Sequence, residues 1–298
     1  MAIKGWGRQG PCGVVEVLNV NTGRWHELKR NSLSKDLKVS YHAVEVLNDL
    51  VYIFGGYTGR PTPMCVNELY AYNPQTGVLD LKASMHERRC YLSAASMNGK
   101  IYAAGGNNGF HLSRTAEVYN PEENRWSSLP PMVEIRSDAC AVAFNGRLYV
   151  IGGFNGDEIH DSVEIFDPLT NQWQFGPRMQ GPRSGNKAAV YRNKIFVVGG
   201  FDGGRRLKTV EFLDPNGDNT WQLAGQLNLQ RSNFALTVAN DKLYAMGGYQ
   251  GSGVTGSVEV YDEQSNSWRL CKSMKHARSA VVAITIKDCT FDDFIKTF

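Results

Sequence analysis

The apolar residues of this chain come in short runs, and several of these runs end in a Gly-Gly doublet. The doublets stand at Gly55-Gly56, Gly105-Gly106, Gly152-Gly153, Gly199-Gly200 and Gly247-Gly248, at spacings of 50, 47, 47 and 48 residues. A Trp follows the last four at nearly constant distance (Trp126, Trp173, Trp221, Trp268), with Leu79 in that place after the first. Between doublet and Trp, each copy carries a Glu in a β-rich run: Glu68, Glu117, Glu164, Glu211 and Glu259. The same ruler finds a sixth copy at the start of the chain. There Gly5, Glu16 and Trp25 keep offsets of 11 and 20 residues, although Lys4 replaces the first Gly.

Each unit reads as four short strands. In the copy after Arg183, Lys187–Tyr191 and Lys194–Val198 flank an Arg192-Asn193 turn, and Val210–Leu213 and 221–223 follow. Asn98-Gly99 and Asn145-Gly146 read as hairpin turns joining first and second strands. No segment sustains a 3.6-residue period, so helix is expected to be nearly absent. The first copy lacks its innermost strand, whereas 278–286 matches a first strand with nothing after it. That spare strand is expected to complete the first unit and close a ring, which removes exposed sheet edges.

Period and markers resemble the kelch repeat, whose unit of roughly 50 residues is one propeller blade. The likeness runs from residue 2 to residue 286. It implies an all-β fold: a six-bladed kelch β-propeller with four antiparallel strands per blade, closed by the C-terminal strand. The chain is then a single domain. Blade one takes 1–28 plus 278–286, and blades two to six take 39–82, 89–129, 136–176, 183–224 and 231–271. A tail, 287–298, is left as a loose or surface-docked end.

In such a blade, loops between strands two and three share a face with the links between blades. That face carries the long, irregular loops, the usual seat of binding. Directly after the glycine marker stand Trp6, Tyr57, Asn107, Phe154, Phe201 and Tyr249. Ahead of the first strands stand Arg89, Arg136, Arg183, Arg231 and Arg278, followed by Ser137, Ser184, Ser232 and Ser279, with Cys90 as the exception. In blade two Ser40 keeps the series, but Val39, beside Lys38, replaces the Arg. Aromatic plates beside guanidinium forks make effective protein contacts. Both sets are therefore candidate partner-binding residues, although a residue repeated in every blade also suits a scaffold. The repeated Glu residues are expected to be scaffold. Blade-specific loop residues are expected to set specificity: Arg60, Asn108, Phe110, His111, Asp157, Glu158, His160, Arg205 and Arg206.

A net charge of +3 over 298 residues gives no electrostatic case for nucleic acid or a membrane surface. No apolar run approaches the roughly 20 residues of a bilayer span. The six cysteines form no CxxC pair and no metal-ligand spacing, and read as scattered buried thiols in a reducing, cytoplasmic setting. A GxGxxG string at Gly251–Gly256 precedes a strand-like run, not a helix, so it does not make a dinucleotide site. The histidines are scattered, and no nucleophile–base or paired-carboxylate pattern stands out. The expectation is a non-catalytic chain with no cofactor and no metal.

The texture Ser162-Val-Glu-Ile-Phe-Asp-Pro with Gly152-Gly-Phe-Asn-Gly resembles the kelch domains of BTB–kelch proteins. That resemblance implies a substrate-recognition domain of a Cullin-3 ubiquitin ligase adaptor. The propeller face would hold a peptide degron, while Cullin-3 is reached only through a BTB segment that is not in this sequence. Separately, a face of mixed charge that leans basic near its centre points to a partner segment with acidic and apolar side chains. The propeller itself is expected to be monomeric. The competing expectation is a cytoskeletal scaffold that binds actin.

Overall fold

The structure, a computed structural model, describes residues 1–8, 10–28, 39–59 and 64–286. The tail 287–298, Arg60 and the 29–38 stretch with Lys38 lie outside the described residues. Five antiparallel sheets follow chain order, each of four strands. They begin with Ala43–Leu47, Leu50–Phe54, Leu69–Tyr72 and Leu79–Lys82, then Ser93–Met97, Lys100–Ala104, Ala116–Asn120 and Arg125–Leu129. Next come Cys140–Phe144, Arg147–Ile151, Val163–Asp167 and Gln172–Phe175, and then Lys187–Tyr191, Lys194–Val198, Val210–Leu213 and Trp221–Ala224. Ala235–Ala239, Lys242–Met246, Val258–Asp262 and Ser267–Cys271 form the last of the five.

The sixth sheet joins the two ends of the chain: Val282–Ala283, Ala2–Ile3, Val15–Asn19 and Arg24–Glu27. Ala2 pairs with Ala283 and Ile3 with Val282, and the Met1 ammonium donates to the Ile284 carbonyl at 2.6 Å. The fold is thus a six-bladed β-propeller closed by its C-terminal strand, and no helix occurs among the described residues.

Local chemistry explains the blade edges. In blades two to six the first hairpin turns through two left-handed residues, such as Asn98-Gly99 (φ 51° and 70°) and Arg192-Asn193 (φ 49° and 56°). This turn type matches the right-handed twist of the strands it joins. The core lies between blades, and each apolar cluster takes residues from two neighbours. Trp126 of blade three packs on Phe54 of blade two at a ring separation of 5.8 Å, and its Nε1 donates to the Ala83 carbonyl at 2.8 Å. Trp173, Trp221 and Trp25 repeat this reach to Pro130, Pro177 and Lys272 of the preceding blade. A buried indole keeps its N–H bonded in this way while it spends its surface on packing.

Candidate partner-binding face

In blades two to six, two glycines and two backbone bridges build each segment of the loop face, and in blade one Lys4, at φ 52°, stands in for the first glycine. A Cβ on Gly105 would strike the carbonyl of Arg136 in the next blade, and one on Gly106 would lie 2.6 Å from the carbonyl of Cys90. The doublet therefore lets a second strand pass under two neighbours at once. The residue after it is then pinned on both sides. Phe154 bridges Ser137 and Ile159, Phe201 bridges Ser184 and Arg206, and Tyr249 bridges Ser232 and Val254. Tyr57 bridges Ser40 and Cys65, Asn107 bridges Cys90 and Leu112, and Trp6 bridges Ser279. All six stand half-buried on the loop face.

The Arg and Ser sets are buried beneath that face, so of the two readings their geometry fits the scaffold. Arg136 is fully buried: Nε donates to Glu164 at 2.9 Å, Nη1 to the Gly152 and Ser162 carbonyls, and Nη2 to Ser162 Oγ at 2.7 Å. Glu164 also accepts the N–H groups of Val133 and Glu134 at 2.6 and 3.0 Å. One ion pair thus ties the third strand to the link that leads into its own blade. The pairs Arg89–Glu117, Arg183–Glu211, Arg231–Glu259 and Arg278–Glu16 repeat it at 3.0, 2.7, 2.7 and 3.0 Å. A carboxylate so deep needs a bonded counter-charge, and loop carbonyls without a ladder need donors; a guanidinium supplies both. Burial lowers the pKa of Arg136, Arg231 and Arg278, and the facing carboxylate opposes the shift. Ser137, Ser184, Ser232 and Ser279 are buried beside these pairs and serve through their backbone bridges.

At the axis one residue from each blade adopts left-handed backbone: Tyr41, Tyr91, Asp138, Gly185, Asn233 and Ala280, with φ between 48° and 59°. Their amides run blade to blade, each N–H from Tyr91 to Ala280 donating to the carbonyl of the residue before it in the ring at 2.7–3.0 Å. The space they leave is about 30 Å³, room for roughly one water. One side of this mouth is aromatic: Tyr41 lies 4.0 Å from Tyr91 and 6.2 Å from Trp6, and Trp6 lies 6.5 Å from Tyr57. The other side is polar, with Asp138, Asn186, Lys187 and Asn233. Burial pushes Asp138 up to about 7 against the pull of Lys187, and pushes the His42 imidazole down to about 3.

Farther out, the blade-specific loop residues divide. Phe110 is 85% exposed at the tip of the blade-three loop, with His111 beside it. Asp157, Glu158 and Arg205 are exposed, and Arg205 pairs with Asp202 at 3.4 Å. His160 is turned inward onto the Ile135 carbonyl at 3.1 Å, and burial lowers its pKa. Arg206 sits between the Phe201 and Tyr249 rings, 4.5 and 4.9 Å from their centroids. The Gly251–Gly256 string is a loop between two strands.

Residues 5–153 and 133–291 match the KLHDC2/KLHL20/DRC7 Kelch-repeats domain. The chain belongs to the Kelch-repeat family. Similar curated kelch proteins of Caenorhabditis elegans include Kelch repeat-containing protein kel-10, 31% identical over 41% of this chain, and Kelch repeat and BTB domain-containing protein F47D12.7, 30% identical over 41%. The matched region is 22% of the length of either relative. Among solved structures, YjhT shares the kelch fold at a TM-score of 0.73 and 18% identity, over 83% of this chain and 87% of its own.

Two features of this kelch face were outside the sequence reading. The axial ring had a faint signal, since Asp138, Gly185 and Asn233 are residue types that tolerate left-handed backbone. Tyr41, Tyr91 and Ala280 carried none. The second is a disulfide between Cys65 and Cys90, whose Cα atoms are 5.5 Å apart. These two are therefore not scattered thiols: the blade-two loop lies against the link into blade three, which brings positions 25 residues apart together. Cys12, Cys140 and Cys271 are free.

Proposed function

We propose that this kelch propeller is a non-catalytic, cytoplasmic recognition module that holds a peptide of a protein partner on the loop face, as the substrate-binding part of a Cullin-3 ubiquitin ligase adaptor. The observation that carries it is the separation of roles on that face. The repeated ion pairs are spent inside the blades, while Trp6, Tyr57, Phe154, Phe201, Tyr249 and Phe110 stay at the surface around a ring of polar groups. Aromatic anchors beside a few fixed polar groups are the make-up of protein contact sites. The mixed surface, with Lys187 at the axis and Arg206 farther out between two rings, suits a segment carrying acidic and apolar side chains. One relative is named Kelch repeat and BTB domain-containing protein F47D12.7, which supports the adaptor role for a longer protein of this kind.

The test is to identify proteins bound by the propeller in cell extract, and then to follow their abundance when cullin activation is blocked. A ligase substrate accumulates. Partners that stay constant, together with pelleting of the propeller on actin filaments, would favour the cytoskeletal scaffold instead.

A further inference from the structure

We infer that Cys65 and Cys90 form a reversible thiol–disulfide switch that sets the mobility of the blade-two loop on the binding face. Cys65 lies in that loop and Cys90 in the link into blade three, and both are nearly fully buried. Each is backbone-bridged to a residue of the face ring, Cys65 to Tyr57 and Cys90 to Asn107. The bond therefore fixes two neighbouring ring positions across a blade boundary, a joint that no other pair of blades has covalently among the described residues.

Cys90 also has a second resting state. It occupies the place that Ser40, Ser137, Ser184, Ser232 and Ser279 fill in the other five blades. Its sulfur is 3.4 Å from the Asn107 carbonyl, just as Ser40 Oγ is 3.4 Å from the Tyr57 carbonyl. As a thiol, Cys90 can donate there and the blade keeps its serine-like geometry. The loop is then held by non-covalent bonds, among them Thr58 N–H to the Met64 carbonyl, Met64 N–H to Thr58 Oγ1, and Val66 N–H to the Gly56 carbonyl. In a reducing compartment a disulfide is transient and signals redox state. The exchange partner is a small-molecule disulfide such as oxidised glutathione. The two cysteine thiols give up two electrons and two protons, the Cys65–Cys90 bond forms, the glutathione bond breaks, and two glutathione thiols leave.

Any effect on partner binding rests on the loop face being the contact surface. The switch itself is read without a partner, so an unsuccessful partner search leaves this test standing. The whole chain is equilibrated in reduced or oxidised glutathione, quenched in acid and denatured, and its thiols are alkylated for peptide mapping. Hydrogen exchange is measured in parallel. We expect a 65–90 crosslink in the oxidised buffer only, and amides of 57–59 and 64–67 exchanging on the order of tenfold faster after reduction while blades four to six stay unchanged. Cys90→Ser, which installs the residue of the other five blades, should show the fast exchange in both buffers. Cys65→Ser should do the same. Thiols that stay reduced in the oxidising buffer, or exchange at 57–59 and 64–67 that is the same in both buffers, would overturn the switch.

Discussion

Arg136 shows how far a residue's role depends on where its head group ends up. Its sequence position puts it beside the binding face, yet its guanidinium turns inward to Glu164 and three further acceptors. Removing one partner of such a buried pair leaves the other charge stranded. Arg136→Ala and Glu164→Ala should each lower unfolding free energy by about 3–5 kcal/mol in denaturant titrations. Phe110→Ala, at an exposed tip, should leave it within about 0.5 kcal/mol. An Arg136→Ala variant as stable as the wild type would contradict the scaffold role. Asp138 makes a pH-dependent prediction. In the fold it keeps its proton to about pH 7, whereas the unfolded carboxyl loses it near 3.8. The folded state therefore binds more protons in between, and this group's contribution to stability falls as pH rises from about 4 to 7. His42 acts oppositely: unprotonated in the fold down to about 3 but protonated near 6.5 when unfolded, it adds stability as pH rises across that interval. Asp138→Asn isolates the first effect. Its stability relative to wild type should improve between pH 5 and pH 8 in chemical melts, and a constant difference would refute the assignment.

The strands themselves were legible because every local cue agreed. Apolar runs, Asn-Gly turns, glycine doublets and Trp plates each specify the same four-stranded unit, and six copies in register fix the count. The terminal seam was legible for the same reason, as one copy lacks the strand that another has spare. The candidate site was only half legible. Spacing shows that an Arg recurs at five of the six lead-ins, but not whether its long side chain points to solvent or into the blade. The Glu eleven or twelve residues beyond each doublet was the available clue. The acid that is buried in five of the six blades asks for a cation at the same interval, and in blade two, where Val39 replaces the Arg, Glu68 is only half-buried. Cys65 and Cys90 could not be paired from sequence, because their contact depends on how neighbouring blades dock. The doublet makes a prediction at this scale. Gly105→Ala places a Cβ on the Arg136 carbonyl at φ 64°, and should cost at least about 1–3 kcal/mol. Gly181→Ala meets nothing within 4 Å and should be neutral in the same thermal melts. Equal melting of the two would show that the glycine is not needed for blade contact.

For the whole molecule, ring closure turns six weak sheets into one body. Without 278–286, blade one would lose its inner strand, Glu16 its arginine, and the N-terminal strand its edge partner. A chain ended before Arg278 should therefore melt well below the full ring, and an unchanged melting curve would contradict closure. A rigid ring presents two faces of unequal character: short turns on one, and on the other long loops with half-buried aromatics and the exposed Phe110 around an axis that is aromatic on one side and polar on the other. The central claim is that partners bind the second. The most direct measurement is quantitative affinity capture with three folded baits: the wild type, a Tyr57→Ala/Phe110→Ala loop-face variant, and Leu169→Ala, which alters a residue 95% exposed on the hairpin face. The account predicts that partners recovered by the wild type are retained by Leu169→Ala and lost from the loop-face variant. Equal recovery by the loop-face variant, with loss from Leu169→Ala, would place recognition on the opposite face.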